Sequence, residues 1–153
     1  MGLSSRTYRL IHADHLNTPR LITNQVGQAV WQWDNADPFG NNAPNENPSG
    51  LGTFTCNLRL PGQYFDQETN LHYNYFRDYD PSIGRYIQSD PIGLAGGINT
   101  YVYVGSNPLS FADPTGEAPW ILIGAGVGAL YEAVKKARDP CASWGDIGLA
   151  ALG

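Results

Sequence analysis

Asp90 and Asp113 are the residues whose types best suit a reaction, and Arg77 is the cation that would sit best beside them. Two carboxylates brought together cannot both ionise easily, so one holds a proton while the other activates a water. Peptide hydrolysis needs that division of labour: a base for the attacking water and an acid for the leaving amine. Nothing in the spacing of the two aspartates brings them together, however. Each also precedes a proline, where capping of a turn accounts for it fully. Arg77 lies in the run LHYNYFRDY over residues 71–79, which reads as one strand. Alternation then places Leu71, Tyr73, Tyr75, Arg77 and Tyr79 on one face. If that face is buried, the guanidinium needs a carboxylate partner. The competing reading sends Arg77 past the tyrosines to solvent, or stacks it on one of them.

Other constellations are poorer. His12 and His15 form H-x-x-H in a strand-to-turn link, which points to structural hydrogen bonding rather than a metal site. His72 reads as structural too. Cys56 and Cys141 are too far apart in sequence and context to define a disulfide framework or a zinc site. No Ser/His/Asp set, Cys/His set or phosphate-cradling glycine loop can be assembled, so no cofactor and no metal is expected.

The elements that would position Arg77 and the aspartates are short strands joined by turns. Gly 18, Pro 11 and an aromatic content of 12% in 153 residues favour this over a helical fold. Strands are expected over 8–13, 20–23, 28–33, 53–60, 63–65 and 71–79, with a hairpin turn at 24–27 and a long loop over 34–52. Four segments repeat one device: Asp37-Pro-Phe-Gly40, Asp80-Pro-Ser-Ile-Gly84, Asp90-Pro-Ile-Gly93 and Asp113-Pro-Thr-Gly116. Asp caps, Pro presets φ, and Gly takes the tolerant position. Such repeats normally stack on neighbours, which suggests one end of something larger. After Pro119 the character changes. Residues 120–134 are apolar apart from Glu132 and are followed by Lys135, Lys136 and Arg138. They read as a docked C-terminal α-helix, at the lower edge of the length that spans a bilayer, so membrane contact is the lesser reading. A net charge of −5 argues against a nucleic-acid partner. Residues 1–6 lack the apolar core of a secretory signal.

These motifs, taken in order, resemble the Rhs repeat-associated core at the C-terminal end of Rhs/YD-repeat proteins. The matching stretches are HADHLNTPR at 12–20, PFG at 38–40, LPGQYFD at 60–66, ETNLHYN at 68–74 and RDYDP at 77–81. They continue with GRY at 84–86, DPIGLAGG at 90–97, NTY at 99–101, YVGSNP at 103–108 and DPTG at 113–116. The resemblance covers about residues 7–117. It implies a mainly β module of antiparallel hairpins, closing one end of a shell of β ribbons around a C-terminal toxin. It also implies an aspartic autoprotease that cuts once, just after its last Asp-Pro-x-Gly-Leu. Carried over by motif, Asp90 and Asp113 are the acid/base pair, Arg77 is their charged neighbour, and the cleaved bond joins Glu117 to Ala118. Residues 1–117 would be the core and 118–153 the start of a variable region. The implied partners are the rest of a shell, a downstream toxin segment, and a secretion-system or immunity protein. Glu117 stands where the family usually has Leu, which adds a third carboxylate near the pair. A non-catalytic cap, or a truncated product with no activity of its own, are the competing functions.

Overall fold

The computed structural model describes residues 7–117 and the backbone of Ile121–Leu122. Three antiparallel sheets account for its regular structure. β1 (Leu10–Ala13), β2 (Pro19–Thr23) and β3 (Ala29–Gln32) form a meander in that order. Polar side chains set both of its turns. Asp14 Oδ1 accepts the amides of Leu16 and Thr18 at 2.9 and 3.0 Å, while its Oδ2 holds Arg20 Nε at 2.8 Å. Asn24 Oδ1 accepts the amides of Val26 and Gln28, and Gly27 takes the left-handed position that closes the expected hairpin.

The second sheet is β4 (Tyr64–Asp66), β5 (Leu71–Asn74), β6 (Arg77–Asp80) and β7 (Arg85–Tyr86), again in sequence order. The single strand expected over 71–79 is therefore two strands. The chain reverses at Tyr75 and Phe76, with Tyr75 at φ 55°, and Asn74 pairs with Arg77 across the hairpin. The expected face is overturned with it. His72, Asn74, Arg77 and Tyr79 point into the core, whereas Tyr73 and Tyr75 are exposed. An added turn between Tyr73 and Arg77 resets the alternation, so residues two apart across it no longer share a side.

Residues 53–60 lie extended beside β4 and join no sheet. Their backbone bonds go to neighbouring segments, Phe54 N–H to Glu46 O and Arg59 N–H to Gln63 O, with a single bridge between Leu58 and Tyr64. The long loop stays a loop, tied down by a Gln32–Asn45 bridge and by Trp33 Nε1–H donating to Asn42 O at 2.7 Å. β8 (Phe111–Ala112) and β9 (Ile121–Leu122) make the third sheet. The C-terminal helix expected over 120–134 lies outside the described residues except at Ile121–Leu122. There it is corrected to strand, because the Asp113–Gly116 turn returns the backbone to the Phe111–Ala112 edge.

One core unites the sheets. Trp31, Trp33, Ile22, Val30 and Leu60 meet a cluster of Tyr79, Tyr86 and Tyr103, whose ring centroids lie 4.8 to 5.9 Å apart in tilted and edge-to-face pairs. Burial pushes all three phenols far above their ordinary value, so they remain neutral donors. Gly62 locks the 60–63 turn to the Asp113 turn: a Cβ there would sit 2.1 Å from Pro114 O.

His72 is buried between Phe65 and Tyr79, with Nδ1 2.8 Å from Gln63 Oε1. Burial, with the charge of Arg59 behind it, lowers its pKa to about 3 from 6.5. The unfolded chain therefore binds the proton that the folded chain refuses, and this contribution to stability is complete above pH 6.5 and lost on acidification towards 3. Urea unfolding between pH 7.5 and 4.5 is expected to show a loss of up to ~1.4 kcal/mol per pH unit from this group. His72→Gln removes that component, so an identical slope in variant and parent would contradict the assignment.

Candidate functional site

The turn aspartates and Arg77 converge. Arg77 opens β6 and projects inward, 3% exposed, beside Asp113 at 1% and Asp90 at 7%. Its Nη2 lies 3.0 Å from Asp90 Oδ2 and 3.3 Å from Asp113 Oδ2. Two carboxylate oxygens on one nitrogen can be no further apart than those two contacts allow. Of the two readings that the sequence leaves for Arg77, the buried pair is the one observed, and the stack is present as well: its guanidinium lies 3.7 Å from the Tyr86 ring centre. Nη1 donates to Thr100 O at 3.0 Å, and Nε donates to Gly116 O. The cation thus gathers two loops, 90–100 and 113–117, onto the start of β6.

Each aspartate divides its oxygens between two tasks. Asp90 Oδ1 caps its own turn through the Ile92 amide at 3.0 Å, leaving Oδ2 for Arg77. Asp113 Oδ1 accepts the amides of Gly116 and Glu117 at 2.9 and 3.2 Å, leaving Oδ2 for Arg77 and for the Tyr86 hydroxyl at 2.8 Å. Turn capping and convergence on Arg77 are therefore simultaneous. Burial pushes the Asp113 carboxyl above its ordinary value, against the Tyr86 hydroxyl, the Arg77 charge and the two amides, all of which favour the anion. Glu117 is buried and bonded through its amide to Asp113, which puts the acidic departure at the edge of the pair. Ala118 lies outside the described residues.

Sequence reasoning missed two side chains. Asn74 Nδ2 donates to Tyr86 Oη and to Asp113 O, both at 2.8 Å, and Tyr86 passes the chain on to Asp113 Oδ2. Both lie in family-matching stretches, yet neither has a residue type that announces chemistry. Glycine makes room on both sides: a Cβ at Gly96 would stand 2.5 Å from Asp90 Oδ2, and one at Gly116 would stand 2.4 Å from Asn74 O. The histidines are structural, His12 Nε2 facing Thr23 Oγ1 at 3.2 Å and His15 Nε2 facing Leu109 O at 2.9 Å. Among the described residues no cluster of His, Cys, Asp and Glu could hold a metal ion.

Over 107 residues the chain is 42% identical to double-stranded DNA deaminase toxin A of Burkholderia cenocepacia, covering 70% of this chain and 7% of that protein. It is 41% identical over 125 residues to toxin protein Tse5 of Pseudomonas aeruginosa, covering 81% and 9%. It is 40% identical over 101 residues to the probable deoxyribonuclease RhsA of Dickeya dadantii, covering 66% and 7%. The fold superposes on a crystal structure of TcdB2-TccC3 without its hypervariable C-terminal region, with a TM-score of 0.63 at 28% identity, over 74% of this chain and 5% of that one. The chain matches a segment of the Rhs toxin proteins, consistent with an Rhs core fragment. No family model matches it. It spans less than half the length of the curated relatives it matches. Within that Rhs segment the matched stretch includes the strand, the turns and the tyrosine that build the Arg77 cluster.

Arg77 is the cation shared by two buried carboxyl groups, so Arg77→Ala is expected to destabilise the chain by about 3–5 kcal/mol, the cost of uncompensated buried charge. Arg77→Lys keeps the charge but lacks the planar fork that serves Thr100, Gly116 and both aspartates, and should recover only part of the loss. Chemical denaturation measures both. A loss below about 1 kcal/mol for Arg77→Ala, the level of a surface pair, would mean that the cluster does not hold the two loops to β6.

Proposed function

We propose that this chain is the closing segment of an Rhs polymorphic toxin, with residues 1–117 as core and 118–153 as the start of its variable region, and that it cuts itself once between Glu117 and Ala118. The observation that carries the reading is the sharing of Arg77 Nη2 by Asp90 Oδ2 and Asp113 Oδ2, with Gly116 O on Nε of the same guanidinium. The segment to be cut is thereby fastened to the groups that would cut it, which removes the entropic cost of substrate binding.

In this reading Asp90 takes a proton from a water, whose oxygen attacks the Glu117 carbonyl carbon. Asp113, its carboxyl pushed up by burial, gives its proton to the Ala118 nitrogen as the C–N bond breaks. The products are a Glu117 carboxylate and an Ala118 amine, with both aspartates reset by exchange of a proton. Arg77 steadies negative charge on the pair and orients both. The partners in this reading are the rest of a shell and a downstream toxin, together with a secretion-system or immunity protein. The deaminase and deoxyribonuclease activities in two relatives' names are not assigned to this acidic segment. No helix among the described residues is long and apolar enough to cross a membrane. Contact of residues 120–134 with a membrane is the lesser reading. Localisation follows the parent toxin, cytoplasmic before export and then secreted or cell-surface.

A second reading, a non-catalytic cap, is favoured by one observation: both Oδ1 atoms are committed to their own turns and both Oδ2 atoms are taken by Arg77. Intact mass with N-terminal sequencing of any fragment separates the two. Self-cleavage gives a new N-terminus at Ala118, and Asp90→Asn or Asp113→Asn slows its appearance by about 10²–10⁴-fold. A folded chain that keeps its full mass for days, while the Asn variants only lose stability, leaves the cap.

A further inference from the structure

A cleft of about 510 Å³ opens beside the His72 strand, lined by residues that include Arg59, Phe65, Glu46, Asn57, Gln67 and Asn70. Arg59 is its unusual member. It is 5% exposed, yet it makes no ion pair among the described residues. Only one of its nitrogens is used: Nη1 donates to Cys56 O and to Leu58 O, both at 2.9 Å. Nε and Nη2 bond to no atom of the described residues, and neither is among the buried polar atoms sealed away without a partner. The guanidinium plane is held by rings, 4.7 Å from the Phe65 centre and 5.5 Å from that of Trp33.

Adjacent Nε–H and Nη2–H groups form the edge of a guanidinium that accepts a carboxylate through two parallel hydrogen bonds. Here that edge is preorganised by two backbone carbonyls and two aromatic rings, so little rotamer freedom remains to be lost on binding. We infer that the cleft is a binding site for the carboxylate of an acidic peptide segment, taken two-pronged by Arg59 Nε and Nη2. Asn70 and Gln67, whose side-chain amides make no hydrogen bond within the described protein, supply further donors and acceptors along the same wall. Burial depresses the Arg59 pKa, which marks a cation held without adequate compensation and one that an incoming anion would relieve. Glu46 is the one acidic group of the cleft. Its Oε2 accepts the Thr55 hydroxyl at 3.2 Å, and its charge reaches Arg59 only from beyond ion-pair distance, so it sets a modest electrostatic barrier against an acidic guest without filling the fork.

The site is independent of the Asp90–Asp113 cluster, and the full chain carrying Asp90→Asn serves for the test so that no cleavage complicates it. The Arg Nε–H signals in an NMR spectrum are followed during titration with acetyl-Gly-Glu-Gly-amide, with its Gln counterpart, and with sodium phosphate. The Arg59 signal, assigned through its own side-chain couplings, is expected to move with the Glu peptide and to stay put with the Gln peptide. Arg59→Lys should weaken binding about tenfold, by loss of one charge-assisted hydrogen bond. Glu46→Gln should tighten it about threefold by removing like charge. A signal that ignores the Glu peptide in a folded chain overturns the inference, as does an equal response to the Gln peptide. Response to phosphate alone overturns the assignment to a peptide carboxylate. If Arg59→Lys fails to fold, the Glu/Gln peptide contrast and the Glu46→Gln variant still decide.

Discussion

A guanidinium taken out of water has to recover its hydrogen bonds from the protein, and a buried cation has to find negative charge. Arg77 meets both demands with partners from three places: Thr100 O, Gly116 O and the carboxylates of Asp90 and Asp113. Remove it and two carboxylates are left in a dry core, with the 90–100 and 113–117 loops no longer fastened to the β5–β6 hairpin. The tyrosine cluster depends on the same point. Tyr86 stacks on the guanidinium, hydrogen-bonds Asp113, and packs edge-on against Tyr79 and Tyr103. The ionic knot and the aromatic core are thus two sides of one ring.

The Asp-Pro-x-Gly device explains how a modest motif becomes a site. Asp37 and Asp80 cap their turns through the amides of Phe39 and Ser82, and neither forms an ion pair among the described residues. Asp90 and Asp113 cap in the same way with Oδ1, but the topology delivers their Oδ2 atoms to Arg77. A carboxylate has two oxygens with four lone-pair positions, so local capping leaves half of it for tertiary use. Recruitment of two turns out of four is decided by where the sheets place them, not by anything within the turns.

That distinction sets what could be read in the sequence. The turn chemistry was legible because Asp, Pro and Gly act locally, and the strand expected at 20–23 and the hairpin at 24–27 follow from local rules. The carboxylate partner of Arg77 was only one of two readings, and it rested on a strand face that the 74–77 turn overturns. The hairpin at 74–77 was not legible. Asn74-Tyr75-Phe76-Arg77 contains no Gly or Pro, and Tyr75 adopts φ 55° at a cost that only context can offset. The context is tertiary: the Asn74 side chain is held by Tyr86 and the Asp113 carbonyl, and the Phe76 amide by Thr115 O. Asn74 and Tyr86 were invisible as site residues for the same reason, since their roles exist only once 113–116 has been folded against them.

Asp113 is where stability and chemistry pull in opposite directions. Its burial favours the protonated acid, while Oδ1 and Oδ2 receive two amides, a phenol and a guanidinium that favour the anion. With donors on every side, a proton on Asp113 needs one of them to withdraw. The amides of Gly116 and Glu117 are fixed by the turn, and Arg77 by its carbonyl partners. The Tyr86 hydroxyl can rotate its hydrogen away and become an acceptor, and Asn74 Nδ2 already donates to that oxygen. In the proposed reaction a proton on Asp113 therefore couples to rotation of the Tyr86 hydroxyl, a change that leaves the turn amides in place.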